Sequence, residues 1–415
     1  MSQPDTAPDA ELTRRLFLRS GIGLASTGGL VASGGAAELP PELSPALEKL
    51  ESYFTPPAKF NDVSRGTPLP HRLPDDKKRE VGLTRETWRL EVIPDPEHPA
   101  TLGKSFTKAA GTALDFPALL KLGEKHAVRF AKVMTCLNIG CPLGMGVWEG
   151  IPLREVVWLT RPKENLRRIF YNGYHNDDPK QLFRSSLPIG RVLEDLDDMP
   201  PVILCYKLNG EWLSSERGGP VRMLVPEAYG FKSVKWLTHV VLSNLAHAND
   251  TYANANNDIE SPLKSFAATL SVPGGKADQP IPVTGYAQVG VSGLKKVQVW
   301  VFPAGQAWTA DDPYFTSAPW TDAQILPVPK EWGGGVGGDL LKQTMGFDPS
   351  TGRPKLWPMR LAKVYWAVVL PGLQAGEYTL RCRTLDAKGH AQPMPRPFRK
   401  SGHCAIEAVK LTVTT

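Results

Sequence analysis

The sequence predicts an α+β domain followed by a β-sandwich, and three observations carry that expectation. Before residue 244, apolar residues recur at helical spacing in some stretches and alternate in others. Around residues 244–265 the composition shifts to Asn, Asp and Ala, which marks a boundary. Beyond it the texture is period-two strands separated by Gly and Pro turns. The 415 residues suit two or three domains, and 41% hydrophobic content is enough to bury sizeable cores. The 39 Pro and 38 Gly residues follow no G-X-Y period, which excludes collagen and favours loop-rich β structure.

The chain opens on an address. Thr13 to Arg19 reads TRRLFLR, and the soft apolar run GIGLASTGGLVASGGAA follows. A basic segment, a short apolar segment and small residues before Glu38 predict a cleavable export signal over residues 1–37. The pair Arg14 and Arg15 makes it the twin-arginine type, so the expected location is periplasmic. No later stretch is long and apolar enough to predict stable membrane insertion.

The elements then follow in order. LSPALEKLESYF forms an amphipathic piece, and residues 61–80 are irregular, with DDKKRE as a solvated charged face. TWRLEVI (87–93) alternates as a strand, FPALLKLG (116–123) suits a short helix, and HAVRFAKVMTC (126–136) is a strand leading into Cys136. TCLNIGCPLGMGVWEG reads as a Gly/Pro-rich loop, with helical spacing resuming in IPLREVVWL and LPIGRVLEDL. PPVILCYKLNGEWL is a hairpin turning at Asn209-Gly210, and VRMLVP and SVKWLTHVVLS are buried strands. After the boundary, PVTGYAQVG, KKVQVWVFP, KVYWAVVL, GEYTLRCRTLD and CAIEAVKLTV give the pattern of an immunoglobulin-like sandwich. GGGVGG (333–338) lacks the Lys-Ser/Thr of a phosphate loop and is expected to be a flexible insertion.

Composition narrows the chemistry. Lys plus Arg exceed Asp plus Glu by only 6, with no long basic run, so nucleic acid is not an expected partner. Five cysteines are too few for a disulfide scaffold, and Cys382 with Cys404 could be a bonded pair or two buried thiols. Cys136 at a strand end could be a nucleophile or a soft-metal ligand, although a buried structural cysteine is the commoner outcome for such local sequence. Cys136 and Cys141 have a metal-like spacing, but no second close pair completes a zinc site. In ERGGPVR, Gly218 and Gly219 permit close backbone approach to a ligand, while Arg217, Arg222 and Lys235 could hold a phosphate.

Taken in order, these pieces resemble the sulfite oxidase family of molybdopterin enzymes. The resemblance runs through FTPPAKFNDVSRG, VMTC, WEGIPLREVV, VILCYKLNGEWL, GGPVRMLVP and SVKWL, and continues into the C-terminal strands. It implies a sulfite-oxidase-like molybdopterin-binding catalytic domain over 38–260 and an immunoglobulin-like dimerisation domain over 261–415. By the same resemblance Cys136 ligates molybdenum, and Arg65 lines the active site. Arg65, Cys136, Arg217, Gly218, Arg222 and Lys235 contact the molybdenum-molybdopterin cofactor. The implied reaction is two-electron oxygen-atom transfer, sulfite to sulfate. Its partners would be a small oxyanion or oxo-substrate and an external electron carrier such as cytochrome c, and the protein would be a homodimer.

The departures are as specific as the match. The family's Ala-Gly-Asn-Arg-Arg after the cysteine is here Leu137-Asn138-Ile139-Gly140-Cys141, and the Asp-His-Gly-Phe-Pro segment is Glu216-Arg217-Gly218-Gly219-Pro220. Gapless spacing puts Ile259 where the family has its active-site tyrosine. Tyr252 is the tyrosine nearby and the catalytic candidate. Losing these groups weakens the case for sulfite itself. It leaves open a reductase of sulfoxides or other oxo-substrates, or a non-catalytic binding protein on the same scaffold.

Overall fold

The alternation of TWRLEVI becomes β1 (Arg89–Pro94), with Leu90 and Val92 buried and Arg89 and Glu91 turned outward. The computed structural model describes residues 39–415 apart from 197, 256, 261, 273, 394–397 and 403; the expected export signal lies outside them. β1 runs parallel to β10 (Leu237–Ser243) in a five-stranded sheet. Beside this pair stand β2 (Leu114–Asp115) on one edge and β5 (Arg168–Gly173) then β6 (Arg184–Pro188) on the other. One core joins its apolar face to the helices Phe116–His126 and Leu153–Leu159. The first of these starts where Asp115 accepts a hydrogen bond from the Ala118 amide, a side-chain N-cap.

A second sheet runs β3 (Val128–Thr135), β4 (Pro142–Pro152), β7 (Ile203–Leu208) and β8 (Glu211–Trp212), with β9 (Arg222–Leu224) also paired to β7. β4 corrects the expectation of a long loop after Cys136: only residues 136–141 are loop. Its glycines belong to a strand because neighbours crowd it. A Cβ on Gly144 would lie 2.3 Å from the Phe60 ring, and one on Gly150 2.3 Å from the Leu204 carbonyl oxygen. Asn209 and Gly210 have φ of 55° and 88°, as the predicted hairpin turn requires.

The C-terminal strands form an eight-stranded curled sheet in the order β11 (Phe266–Ser271), β13 (Ile281–Gln288), β16 (Lys363–Leu370), β15 (Thr321–Ile325), β14 (Lys296–Pro303), β17 (Gly376–Leu385), β18 (Glu407–Thr414) and β12 (Gly275–Lys276). β15 makes the corner: Thr321 to Ala323 pair with β14, then Gln324 and Ile325 pair with β16. The two halves so joined face each other as a sandwich over Val283, Val299, Trp366 and Leu380.

Four further expectations change. GGGVGG is packed at its start, where Cβ atoms on Gly333 and Gly334 would meet Ser52 and Phe54 at 2.2 and 2.9 Å, while Gly335, Gly337 and Gly338 face open space. The helix expected over 187–196 shrinks to Ile189–Leu193, because Leu187 and Pro188 complete β6. The strand expected from 233 begins at Leu237, after Trp236 takes a φ of 52°. The DDKKRE run is an exposed helix, Asp75–Glu80. No helix among the described residues is long and apolar enough to cross a membrane.

Candidate active site

Cys136 is the first residue past β3, and the loop it opens is held from two sides. Thr135 donates its hydroxyl to Gln288 Oε1 on β13 at 2.5 Å, so the sandwich braces the strand end. Asn138 Nδ2 donates to the Tyr252 hydroxyl at 3.4 Å. Leu137 is buried between these anchors while Ile139 is 55% exposed. Cys136 and Cys141 are half-buried free thiols, and burial together with the neighbouring Cys136 pushes the Cys141 thiol up. Cys205 and Cys382 are fully buried, and desolvation pushes both up to about 12. Among the described residues no group of three or more His, Cys, Asp and Glu side chains could hold a metal.

The ERGGPVR segment folds around Lys235. Ser214 caps the turn Ser215–Arg217, which ends at Gly218 with φ 96°. That residue must be glycine on two counts, since a Cβ there would also lie 2.6 Å from Lys235 Cγ. Lys235 Nζ then donates to Asp62 Oδ1 at 2.7 Å, Ser64 Oγ at 2.6 Å and the Glu216 carbonyl at 2.7 Å. Burial pulls Lys235 down to about 8. For Asp62 burial acts upward, but the Lys235 and Ser64 hydrogen bonds outweigh it and hold the carboxyl at about 2.

Arg217 pairs with Glu216 at 2.6 Å. Arg222 has no such partner. Buried at 4% exposure, it donates to the Arg217 and Ser233 carbonyls, and burial pulls it to about 10. The Nε atoms of Arg217 and Arg222 and the hydroxyl of Ser215 are buried without a hydrogen-bond partner.

These groups meet in one cavity of about 280 Å³, lined by Cys136, Arg65, Tyr252, Arg217, Arg222 and Lys235 together. Gly218 lies beneath it, against Lys235. Arg65 comes from the segment before the first sheet, with its guanidinium 4.6 Å from the Phe183 ring centroid and 5.8 Å from that of Tyr252. Tyr252 is buried against Phe183 and Phe231, and its amide donates to Asp250 Oδ1. Ile259 is not part of the lining. Phe60, Trp148 and Ser233 also line the wall, with His175, and so do Phe183 and Phe231, which sequence reasoning did not single out.

Comparison with known proteins bears on this cavity. Residues 80–251 match the family model of the oxidoreductase molybdopterin binding domain. The mitochondrial sulfite oxidase of Drosophila melanogaster is 26% identical over 215 residues, covering 50% of this chain and 34% of that protein. A nitrate reductase [NADPH] of Pichia angusta is 30% identical over 212 residues, covering 49% of this chain and 23% of that one. Gallus gallus sulfite oxidase is 28% identical over 216 residues, covering 50% and 43%. Residues 80–251 carry an oxidoreductase molybdopterin binding domain, and the chain is similar to sulfite oxidases and nitrate reductases. It spans under half the length of these relatives. The sulfane dehydrogenase SoxCD of Paracoccus pantotrophus shares the fold of the whole chain, with a TM-score of 0.54 at 16% identity over 98% of this chain and 97% of that one.

The cofactor of this family is molybdopterin, and the residues of the cavity suit it. A buried cation without a counter-ion is costly, and so is a buried N–H without an acceptor. Arg222 is the first and the Nε groups of Arg217 and Arg222 are the second, in a cavity that also holds the Cys136 thiol. An anionic group that accepts hydrogen bonds, and carries a metal for the thiolate, satisfies all of them.

Proposed function

We propose that the protein is a molybdopterin-dependent oxidoreductase performing two-electron oxygen-atom transfer. Its most direct version is sulfite-dehydrogenase-like, with sulfite and water giving sulfate, two protons and two electrons. The observation that carries the reading is the Cys136 thiol sharing a cavity with the uncompensated Arg222 and its orphaned Nε. Bound molybdopterin supplies the oxygen-atom and electron chemistry. Cys136 holds the metal, Arg217, Arg222 and Lys235 hold the pterin and its phosphate, and Gly218 lets Lys235 pass. Arg65 orients the substrate through its planar donors, with the hydroxyl of the adjacent Tyr252 as a further donor. Two electrons leave singly to an external carrier such as cytochrome c.

A second reading, reduction of a sulfoxide or another oxo-substrate, is favoured by one observation. Arg217 and Lys235 are already paired with carboxylates, while Arg65 is exposed and lies against Phe183 and Tyr252. With Arg222 assigned to the cofactor, a substrate wall in which Arg65 lies against aromatic rings suits an organic or singly charged substrate better than a tetrahedral dianion.

Molybdenum and pterin content of the wild type and Cys136→Ser tests the ligand. One molybdenum per chain, lost in the variant, is expected; unchanged loading in the variant sinks the reading. Sulfite with cytochrome c, against methionine sulfoxide with a reduced viologen, then separates the two directions. We also propose twin-arginine export of the folded holoprotein to the periplasm, division near residue 260 and pairing through the sandwich. Cell fractionation and sedimentation test export and pairing.

A further inference from the structure

We infer that Cys136 and Cys141 form a reversible disulfide in the cofactor-free protein, so that oxidation closes the site to its cofactor and loading protects it. The inference rests on the proposed role of Cys136 as metal ligand. Cys141 stands where the family resemblance has its second arginine, which makes the pair a feature of this chain.

The register places the two cysteines opposite each other. Thr135 and Pro142 are the last paired residues of β3 and β4, so Cys136 and Cys141 occupy the next position on each side. They lie one residue past a pair whose Cα spacing is about 4.5–5.5 Å, so closing to the span of about 4.4–6.8 Å that a disulfide bridges takes only a small adjustment of the loop. The four residues between them turn back tightly, with Gly140 at φ 71°. A register irregularity between Met134 and Thr135 loosens the strand at this end. Both thiols are half-buried, whereas Cys205 and Cys382 are enclosed in the fold. Bridging needs side-chain rotation at a strand end, not a new strand register.

A small-molecule disulfide such as oxidised glutathione is the oxidant. One cysteine thiolate attacks it and releases a glutathione thiol, leaving a mixed disulfide. The second cysteine displaces the other glutathione and forms the Cys136–Cys141 bond. Two protons and two electrons leave the protein, and two glutathione thiols appear. While that bond stands, the Cys136 sulfur has no thiolate to offer a metal.

Full-length protein produced without molybdate, equilibrated in glutathione buffers and mapped by non-reducing mass spectrometry, tests the bond. The expected result is a peptide spanning residues 136–141 lighter by two hydrogen atoms, restored by dithiothreitol. Oxidised wild type should lose molybdenum uptake, while Cys141→Ser treated identically should keep it. Absence of the cross-link at every glutathione ratio, in folded protein whose Cys136 still alkylates, overturns the inference. Equal cross-linking in molybdenum-loaded protein supports the bond but removes both the protection and the role of Cys136 as ligand. Loaded protein that resists cross-linking while the cofactor-free protein forms it supports both.

Discussion

Lys235 Nζ stands 2.7 Å from Asp62 Oδ1, tying the segment that carries Arg65 to the strand entry beneath the cavity. Burial opposes the charge on Lys235, and the Asp62 carboxylate offsets part of that cost. Asp62→Asn should therefore lower stability at pH 7 by about 1–2 kcal/mol, the usual effect of removing one charged hydrogen-bond partner. The sign with pH follows from the carboxyl, held at about 2 against an ordinary 3.8. Its contribution is present above the ordinary value and is lost as pH falls toward 2. Urea midpoints of wild type and Asp62→Asn should converge across that acid window. Midpoints that stay parallel argue that Asp62 is not coupled to folding.

Arg222 separates stability from function. Its guanidinium is buried, donates to the Arg217 and Ser233 carbonyls and lies 5.5 Å from the Trp148 ring. Replacing an uncompensated buried cation by an apolar side chain of similar length is commonly neutral or stabilising by about 1–4 kcal/mol. Arg222→Met should thus raise the melting temperature of cofactor-free protein and reduce the molybdopterin retained after purification. A variant that melts lower and still retains full cofactor contradicts the assignment.

How much of this was legible beforehand follows from the physics of each element. The Asn209-Gly210 hairpin and the alternating C-terminal strands were readable because turn chemistry and period-two burial are local. β4 was not, because its glycines answer to Phe60 and Leu204, far away in sequence. Arg65, Arg217, Arg222 and Lys235 were named from motif resemblance, and the structure brings them to one cavity with Cys136. Tyr252 lines that cavity although its spacing is not the family's, since the Asp250 turn carries it there. Phe183 and Phe231 had no signal at all, because an aromatic wall leaves no local motif.

Arg65 is the cation proposed to face the substrate. Its stacking on Phe183 and Tyr252 depends on a flat guanidinium. Arg65→Lys keeps the charge and loses the planar stacking and paired donors. In steady state it should raise KM for an anionic substrate by about tenfold, equal to about 1.4 kcal/mol, and Arg65→Ala by more. Molybdenum content should be unchanged in both. Loss of kcat with KM unaltered would instead place Arg65 in the chemical step.

Lys132, on β3 and wholly buried, offers a test of the frame behind the cavity. Its Nζ donates to the Pro226 and Ala228 carbonyls at 2.7 and 2.9 Å. Burial pulls it down to about 7; Glu227 acts against this and Arg222 adds to it. Below that value the lysine is protonated in both folded and unfolded chains, so stability carries the full cost of a buried charge. Between about 7 and the ordinary 10.5 the unfolded chain binds the extra proton, so stability rises with pH. The change across the window is up to about 4 kcal/mol if the whole displacement is expressed. Lys132→Met removes the titrating group and leaves two carbonyls without their donor. The difference between wild-type and Lys132→Met unfolding free energies should therefore shift in favour of wild type from pH 7 to pH 10. Denaturant titrations at several pH values measure it, and a difference constant with pH would show that Lys132 does not titrate on unfolding in this range.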